Sequence, residues 1–504
     1  MMRAASIRFT MEDIASFSAA SHDKNPLHVS EVYARATPYG EPVVFGILGA
    51  LAALSRLPDR NDLILREVSL EFRNPLVVGV DYAVQIDETA SLQSSVKIYD
   101  ADRLMMKARF TFQAGDGRSA GAVGSEYSHS IGEAVDRQEA DFEVGRRIAG
   151  VYGVSTEDFD KVVERWGLSA KGAQGIQIAA MMWTSFMVGM ELPGKRAIYW
   201  RLVLEFRNDH GQPDEGPLRY DVKIKEFDER LELLHTAGDL SVGSQAYGTA
   251  HMWAFARRDS PQSSVEKLSS LMPSSHQLHG KVALVVGGSR GLGAAISQAL
   301  ALQGCSVIVS YHRCEAEAEQ IRTRLGGRSG LLELVQGDAA DLHWCRELRD
   351  RICKQYQGLD FLICNASPPI HPMPFTPEKL DQYHDFLEKS VALVSGPMSM
   401  FLSCLSERSG WNVVVSSAFV RDLPAEWPHY VTAKSAVEGL ARWAAANDKR
   451  IHTLVVRPPK LLTDQTNTTL GRQGAMGVEQ VAAAIVTQLC NPEPSQSVVV
   501  LESF

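Results

Sequence analysis

The spacing of apolar residues changes along the chain and marks two kinds of predicted structure. After Gly280 the wholly apolar run Val282–Val286 predicts a buried β-strand, and the segment Ala294–Leu302, with apolar residues at helical spacing, predicts a helix close behind it. The run Ser306–Tyr311 predicts the next strand. Because strands alternate with helices here, the sequence predicts an α/β domain built on a doubly wound parallel sheet.

The N-terminal half shows a different pattern, in which an apolar helix precedes alternating, strand-like runs, and this pattern occurs twice. One predicted helix begins at Gly46 within the apolar stretch Val43–Leu54, and the other is Gly175–Phe186. After these helices, the segment Val68–Asn74 recurs as Leu202–Asn208 with five identical residues. This repeat predicts two fused copies of one fold.

Length and composition favour a division into several packed units. With 504 residues, of which 45% are apolar, the chain is too long for a single core. A polar, serine-rich stretch runs from Arg257 to Gly280, and all seven cysteines lie after it. We therefore predict a first repeat over 1–125, a second over 126–257, a linker over 258–279 and a third domain over 280–504.

Charge and cysteine spacing exclude several classes of function. The net charge is −9 with acids and bases interspersed, so no basic stripe indicates binding to nucleic acid. No window reaches the roughly 18 unbroken apolar residues of a membrane span, and the first residues lack the apolar run of a signal peptide. The cysteines have no Cys-x-x-Cys spacing, which favours neither disulfides nor a zinc site. We expect a cytoplasmic protein with small-molecule substrates, no membrane partner and no metal.

A glycine-rich turn between the first strand and helix of the α/β domain predicts a nucleotide site. The turn consists of Gly287, Gly288, Ser289, Arg290, Gly291, Leu292 and Gly293. Glycines permit a tight turn in which backbone N–H groups at a helix start approach a pyrophosphate. The second strand ends in His312 and Arg313 instead of the acidic residue that binds the ribose of NAD. Because Arg290 and Arg313 can neutralise a 2′-phosphate, we expect NADP(H) as the cofactor.

Ser417, Tyr430 and Lys434 form a second group of candidate residues. A lysine four residues after a tyrosine lies on the same helix face, and its ammonium group can lower the pKa of the phenol from about 10. Together with the glycine turn, this group resembles the short-chain dehydrogenase/reductase family, particularly the β-ketoacyl reductases, from Gly280 to the last residue. The resemblance implies a Rossmann fold.

The same resemblance implies roles for single residues. Tyr430 is the acid that protonates a ketone, Ser417 holds the ketone oxygen, and Lys434 also binds the ribose hydroxyls. The further cofactor residues that it implies are Asp338 at the adenine, Asn365 in the family's Asn-Ala-Gly position and Thr463 in the nicotinamide-side loop.

Three positions depart from the family pattern. Ser390 stands where the family usually has the asparagine of a proton relay, Ser367 replaces a glycine, and Pro458–Pro459 replace Pro-Gly before Thr463. Because of these departures a second hypothesis stays open, in which the reductase half is impaired or serves as a scaffold.

Near the N-terminus, Asp23 and His28 stand five residues apart with Asn25 and Pro26 between them. Pro26 and Asn25 break a helix, so the two side chains can converge on one point. The segment resembles the hydratase motif of the MaoC-like hotdog family. The resemblance implies that His28 is the base and Asp23 its acid partner in adding or removing water across the α,β bond of an acyl thioester, while Asn25 holds the loop.

The helix that begins at Gly46 resembles the central helix of a hotdog, and its first N–H group is suited to binding the thioester carbonyl. Phe45 stands where most family members have histidine. We interpret residues 1–257 as an α+β double hotdog, with antiparallel sheets around central helices. The second repeat lacks the Asp-x-Asn-Pro-x-His motif. We therefore interpret it as a non-catalytic copy that completes the acyl pocket. Four methionines of that copy line an acyl tunnel or form plain core: Met181, Met182, Met187 and Met190.

Together these motifs predict a bifunctional enzyme. NADPH-dependent reduction of a 3-ketoacyl thioester at Tyr430 would be followed by loss of water at Asp23 and His28, which gives a trans-2-enoyl thioester as in fatty acid or polyketide biosynthesis. No Asp-Ser-Leu segment of a carrier domain is present, so the thioester partner is an acyl carrier protein in trans or coenzyme A. The family resemblance also implies a homo-oligomer.

Other interpretations stay open at this point. The hotdog pair could be a non-catalytic module for acyl binding or dimerisation beside a single-activity reductase. The same residues could instead hydrate an enoyl thioester and then oxidise the product, although Arg290 and Arg313 favour the reductive direction. A polyketide or another non-fatty ketone is a third interpretation of the substrate.

Overall fold

The computed structural model describes residues 6–90, 92–115, 132–207, 217–313, 315–326, 332–492 and 497–504. The chain forms two compact units, Met1–Asp259 and Ser260–Phe504. Asn208, Cys314 and the predicted boundary between residues 125 and 126 lie outside the described residues.

In the described part of the first unit, ten strands form one antiparallel sheet. The strands are β1 (Ser6–Arg8), β2 (Leu63–Phe72), β3 (Asp81–Ala90), β4 (Gln93–Asp100), β5 (Arg103–Ala114), β6 (Arg147–Tyr152), β7 (Ala197–Phe206), β8 (Leu218–Asp228), β9 (Leu233–Val242) and β10 (Gln245–Ala256). Their order across the sheet is β1-β3-β4-β5-β2-β7-β10-β9-β8-β6. Outward from β2 the strands are β5, β4, β3 and β1, and outward from β7 they are β10, β9, β8 and β6, so both halves have the same strand order. The unit therefore consists of two copies of one fold.

The two copies meet at strands β2 and β7, which carry the repeated sequence. Ser69 pairs with Val203, the residue that occupies the same place in the repeat, and Leu70 pairs with Leu202. This register places a local twofold axis at the Ser69–Val203 pair. Leu70, Leu202 and Leu204 are fully buried, so the join between the copies is also part of the hydrophobic core.

Each half-sheet wraps one central helix. The helices of this unit are α1 (Met11–Ser21), α2 (Pro26–Val29), α3 (Glu31–Arg35), α4 (Gly46–Leu54), α5 (Thr156–Arg165) and α6 (Gly175–Phe186), with a π-helical turn at Met187–Glu191 and 3₁₀ turns at Glu139–Asp141 and Leu168–Ala170. In α4 and α6 every residue after the first glycine is buried. Helices that are apolar on all sides must be enclosed, and here the antiparallel sheet encloses them. The predicted α+β double hotdog is confirmed.

In the described part of the second unit, seven parallel strands form one sheet. They are β11 (Val282–Val286), β12 (Ser306–Tyr311), β13 (Leu332–Gln336), β14 (Phe361–Cys364), β15 (Trp411–Val415), β16 (His452–Val456) and β17 (Val498–Leu501). Their order is β13-β12-β11-β14-β15-β16-β17, which reverses direction between β11 and β14. That reversal is the switch point at which such sheets bind ligands.

Helices cover both faces of the parallel sheet. They are α7 (Val265–Leu271), α8 (Gly291–Leu302), α9 (Glu315–Leu325), α10 (Leu342–Tyr356), α11 (Leu380–Arg408), α12 (Phe419–Asp422), α13 (Pro428–Asn447), α14 (Thr469–Arg472) and α15 (Val478–Cys490), with 3₁₀ turns at Pro377–Lys379 and Asp464–Thr466. Ala283 and Val285 of β11 belong to one apolar cluster, and Val282, Leu284 and Val286 belong to another. Alternate residues of a strand point to opposite faces, so both faces are packed. The predicted α/β Rossmann fold is confirmed.

The stretch 258–279, which the sequence predicts as a linker, contains helix α7. Val265 and Leu268 of this helix are buried in the core of the second unit. The serine content that indicates a linker has a local structural cause, because the Ser264 hydroxyl caps α7 by accepting a hydrogen bond from the Lys267 N–H group. Part of the predicted linker, helix α7, is therefore folded and packed into the second unit.

The join between the two copies predicts a large effect of Leu70→Ala. Removing a fully buried leucine side chain costs about 2–5 kcal/mol of unfolding free energy. We expect faster hydrogen exchange in peptides covering both β2 and β7, measured by mass spectrometry on the full chain, and unchanged exchange in β11. Arg66→Ala, at an exposed position of the same strand, is the matched control. Unchanged protection of β7 in Leu70→Ala would contradict this account of the join.

Candidate functional site

The end of α1 brings Asp23 into the protein interior. The helix starts with a capping box between Thr10 and Asp13 and ends at His22, whose left-handed backbone (φ 57°) turns the chain. The Ser18 hydroxyl donates a hydrogen bond of 2.7 Å to the Asp23 carbonyl, which fixes the loop after the helix. The Asp23 side chain is consequently buried, with 1% of the residue exposed.

Asn25 holds this loop against the second copy. Its side-chain oxygen accepts a hydrogen bond from the Leu27 N–H group (3.0 Å) and so caps α2. Its amide donates to the carbonyl of Gly189 at 2.7 Å and to that of Gly194 at 3.1 Å. One side chain thus joins the two repeats at the candidate site.

The carboxyl group of Asp23 also depends on the second copy. One oxygen accepts from the Asn25 N–H group (3.0 Å) and the other from the Ser185 hydroxyl (2.7 Å). Gly189, in the π-helical turn, leaves the space for this carboxyl group, since a Cβ there would lie 2.6 Å and 2.7 Å from its oxygens. Burial raises the pKa of Asp23 to about 7, and the bonds from Ser185 and Asn25 oppose the rise.

His28 is in α2, and its neutral imidazole packs against residues just before the start of α4. Its Nδ1 is 2.7 Å from the carbonyl of Val43, and because a carbonyl only accepts, Nδ1 carries the proton and Nε2 has the free lone pair. The ring stacks on Phe45 at 3.9 Å, and Phe45 in turn packs against Phe17 at 4.8 Å. Burial lowers the pKa of His28 to about 4. The phenylalanine at the family's histidine position thus orients the imidazole.

Gly46 is the first residue of α4, directly after Phe45. A Cβ at this glycine would lie 2.7 Å from the Phe72 ring, so close packing requires glycine here. The first N–H groups of a helix have no partner within the helix, which makes this end suited to a carbonyl oxygen.

The second copy contributes to the site without repeating it. The segment 166–174 between α5 and α6 is much shorter than the segment 22–45 between α1 and α4, so the loop that carries Asp23 and His28 has no counterpart. The four methionines considered for a tunnel are buried in the core, and the Met190 sulfur accepts a hydrogen bond from the Lys24 N–H group. Sequence patterns did not indicate Ser185 or Gly189, since both lie far from the motif along the chain.

In the second unit, glycines and Asn365 close the predicted nucleotide turn. Gly287 has a φ of +74°, and the Asn365 amide donates a hydrogen bond of 2.9 Å to its carbonyl. A Cβ at Gly293 would lie 2.1 Å from that carbonyl oxygen, so only glycine fits. Gly291 begins α8, and Thr463 packs near it, with a methyl carbon 3.6 Å from where a Cβ would stand. The structure therefore brings these five candidate residues together.

The other candidate cofactor residues differ in their surroundings. Arg290 is the residue just before α8 and its side chain pairs with Asp464 at 3.3 Å, whereas Arg313 is exposed after β12. Ser289 is half-buried, and Leu292 is buried in the core. The Asp338 carboxyl accepts from the Ala340 N–H group (2.9 Å) just after β13.

Ser417, Tyr430 and Lys434 lie together after β15 and along α13. The Lys434 ammonium donates a hydrogen bond of 2.9 Å to the Val415 carbonyl and lies 5.6 Å from the centre of the Tyr430 ring. Burial raises the pKa of Tyr430 to about 12, and a hydrogen bond with the Ser417 side chain opposes the rise. Burial lowers the pKa of Lys434 to about 8.

These values differ from the expectation that Lys434 lowers the pKa of the phenol. Burial is the dominant cause at both residues, because it disfavours the charged form of each. At neutral pH the phenol of Tyr430 consequently keeps its proton and can donate it.

A charged network behind Ser417 was not predicted. Glu438, one turn after Lys434 and buried, accepts a hydrogen bond of 2.6 Å from the Ser416 hydroxyl. Arg457 donates two more bonds to the same carboxylate, at 2.8 Å and 2.7 Å. The spacing of Glu438 four residues after Lys434 was the available signal. The network fixes the end of β15, where Ser417 follows.

Two of the positions that depart from the family pattern have different surroundings. Ser390 is buried on α11, and among the described residues its hydroxyl has no hydrogen-bond partner. Ser367 is exposed, and its hydroxyl donates to the Pro368 carbonyl at 3.2 Å.

Within the described ranges, no group of three or more histidine, cysteine, aspartate or glutamate side chains is placed to hold a metal ion. The helices of those same ranges include none that is both long enough and apolar enough to cross a bilayer.

Comparisons with known proteins match two different families to two parts of the chain. Residues 2–95 match the family described as "MaoC like domain", and residues 281–473 match the family described as "short chain dehydrogenase". Versicolorin reductase 1 of Aspergillus parasiticus is 28% identical over 38% of this chain and 74% of its own. Tetrahydroxynaphthalene reductase PfmaG of Pestalotiopsis fici is 29% identical over 40% of this chain and 74% of its own.

Among solved structures, a short-chain dehydrogenase from Burkholderia cenocepacia in complex with NADP is 27% identical. The similarity covers 45% of this chain and 98% of that protein, with a TM-score of 0.41. From the two family matches, the chain carries a MaoC-like domain in its N-terminal part and a short-chain dehydrogenase domain in its C-terminal part.

Proposed function

We propose that the chain is a bifunctional enzyme that reduces a 3-ketoacyl thioester with NADPH and then removes water to give a trans-2-enoyl thioester. The observation that carries the proposal is that each unit holds a candidate acid–base set whose pKa values are shifted by burial. Asp23 and His28 form one set, and Ser417, Tyr430 and Lys434 form the other. The fusion of a MaoC-like domain with a short-chain dehydrogenase domain supports the pairing of these two reactions.

The domain division follows the same assignment. Residues 1–125 form the catalytic hotdog, residues 126–257 form its non-catalytic copy, and residues 280–504 form the reductase. Oligomerisation through the reductase, and an acyl carrier protein or coenzyme A as the carrier of the thioester, belong to this proposal.

The glycine turn fits a dinucleotide. A side chain at 293 would collide with the Gly287 carbonyl, so glycine there lets the turn close tightly at the start of α8, where a helix N-terminus suits a pyrophosphate. Arg290 and Arg313 supply positive charge for a 2′-phosphate, which would compete with Asp464 for Arg290. This charge supports NADP(H), and the cofactor supplies the hydride when bound.

In the reduction, the protein binds and protonates the ketone. Ser417 donates a hydrogen bond to the ketone oxygen, and Tyr430 transfers its phenolic proton to that oxygen as the carbonyl carbon accepts the hydride. The Lys434 ammonium gives one hydrogen bond to the Val415 carbonyl, so two N–H donors are left to stabilise the tyrosinate and to hold the ribose hydroxyls.

In the dehydration, His28 and Asp23 act on adjacent carbons. Nε2 of His28 takes the proton from C2 of the 3-hydroxyacyl thioester while Gly46 donates its N–H group to the thioester carbonyl. The protonated carboxyl of Asp23 gives its proton to the hydroxyl on C3, which leaves as water as the double bond forms. A carboxyl pKa of about 7 suits this role, because both protonation states are accessible near neutral pH.

Two single substitutions test the assignment and serve as controls for each other. We expect Tyr430→Phe to lower kcat/KM for reduction of acetoacetyl-CoA by about 10²–10⁴-fold and to leave dehydration of 3-hydroxybutyryl-CoA unchanged, because it removes only the general acid of the reductase. We expect His28→Ala to lower the rate of dehydration and to leave the rate of reduction unchanged. Rates are followed by NADPH absorbance and by enoyl absorbance. If the hotdog pair is a non-catalytic module, His28→Ala changes neither rate and the proposal is wrong.

The rate of dehydration has a predicted pH profile. It needs Asp23 protonated and His28 neutral, so kcat/KM falls as the pH rises above about 7 and as it falls below about 4. Ser185→Ala removes a bond that lowers the Asp23 pKa and therefore shifts the alkaline limb to higher pH. In the control Ser55→Ala, which loses only a bond to the Ala52 carbonyl, the limb stays in place. An alkaline limb that Ser185→Ala moves to lower pH would refute the role of Asp23 as acid.

A further inference from the structure

Three aromatic rings surround the phenol of Tyr430. The Phe419 ring centre lies 6.0 Å from that of Tyr430, the Trp427 ring 6.3 Å, and the Phe386 ring 6.5 Å, all in edge-to-face orientation with interplanar angles of 89°, 69° and 62°. Phe419 and Trp427 also contact each other at 5.7 Å. The candidate acid of the reductase is thus enclosed by rings.

The three rings differ in their access to a ligand. Phe386 is buried at 8% exposure, whereas Phe419 and Trp427 are half-buried. The Phe419 N–H group donates a hydrogen bond of 3.2 Å to the Ser417 hydroxyl, so this ring is held next to the serine that binds the ketone oxygen. Phe386 therefore forms the floor, and Phe419 and Trp427 form walls with free surface.

One large apolar side chain is also exposed at the end of the short helix that carries Phe419. Leu423 follows Phe419 by four residues, at the end of the same short helix, and is 66% exposed.

We propose that the reductase unit selects 3-ketoacyl thioesters whose ketone is attached to an aromatic ring, and that Phe419 and Trp427 determine this selectivity. The inference rests on the proposed function, since it takes Ser417 and Tyr430 as the groups that bind the ketone. An aromatic substrate ring gains edge-to-face or offset-stacked contacts with both walls, and a saturated ring of the same size gains only buried area. The product is a 3-aryl-3-hydroxyacyl thioester, which the dehydratase site would convert to a conjugated enoyl thioester.

The test compares two substrates of nearly equal size and different shape. These are the N-acetylcysteamine thioesters of 3-oxo-3-phenylpropanoate and 3-cyclohexyl-3-oxopropanoate, each reduced by the full chain with NADPH. The measured quantity is the ratio of their kcat/KM values. The ratio within one protein does not depend on the fraction of active enzyme. Dividing the variant's ratio by the wild-type ratio also cancels the intrinsic reactivity of the two ketones. A variant that is only partly folded therefore keeps the wild-type ratio.

We expect the phenyl-to-cyclohexyl ratio to fall about 3–10-fold in Trp427→Leu and again in Phe419→Leu, since each removes one ring contact. Trp427→Phe keeps a ring and keeps most of the ratio. Trp443→Leu, at a 58% exposed position farther along α13, leaves the ratio unchanged. A ratio that stays constant in both leucine variants overturns the proposed selectivity while reduction itself persists. If wild-type protein reduces acetoacetyl-CoA but neither of these thioesters, the selectivity is wrong and the reductase function stands. If it reduces none of the three substrates, the proposed reductase function fails as well.

Discussion

The pairing of β2 with β7 is the constraint on which the first unit depends. Every residue of helices α4 and α6 after the first glycine is buried, and one half-sheet covers only part of such a helix. Joining the half-sheets at the Ser69–Val203 pair gives both helices a shared core. The same join brings the end of α6 against the loop after α1, so the second copy, which lacks the catalytic loop, supplies Ser185 and Gly189 to the site.

At both sites, burial raises the pKa of the acidic groups and lowers the pKa of the basic groups. These shifts indicate which group donates a proton and which accepts one. It raises the pKa of Asp23 to about 7 and lowers that of His28 to about 4, which leaves a carboxyl able to donate and an imidazole able to accept. It also raises the pKa of Tyr430 to about 12 and lowers that of Lys434 to about 8. Desolvation alone therefore prepares a proton donor in each unit.

The sequence predicted the features that are local along the chain. The glycine turn before α8 and the repeated segment each follow from a few adjacent residues, and the fold class followed from them. Ser185 could not be predicted, because its bond to Asp23 joins residues 162 positions apart. The pKa of Tyr430 was expected to fall, because i,i+4 spacing indicates a nearby lysine but says nothing of burial. Helix α7 was missed because its composition is that of a linker.

Mass spectrometry of the products that the full chain forms from acetoacetyl-CoA and NADPH tests the central claim most directly. The account predicts crotonyl-CoA, with 3-hydroxybutyryl-CoA as the intermediate and NADPH consumed in equal amount, because both candidate acid–base sets lie within one chain. Product that stops at 3-hydroxybutyryl-CoA would contradict the assignment of Asp23 and His28. Unreacted acetoacetyl-CoA would contradict the assignment of Ser417, Tyr430 and Lys434.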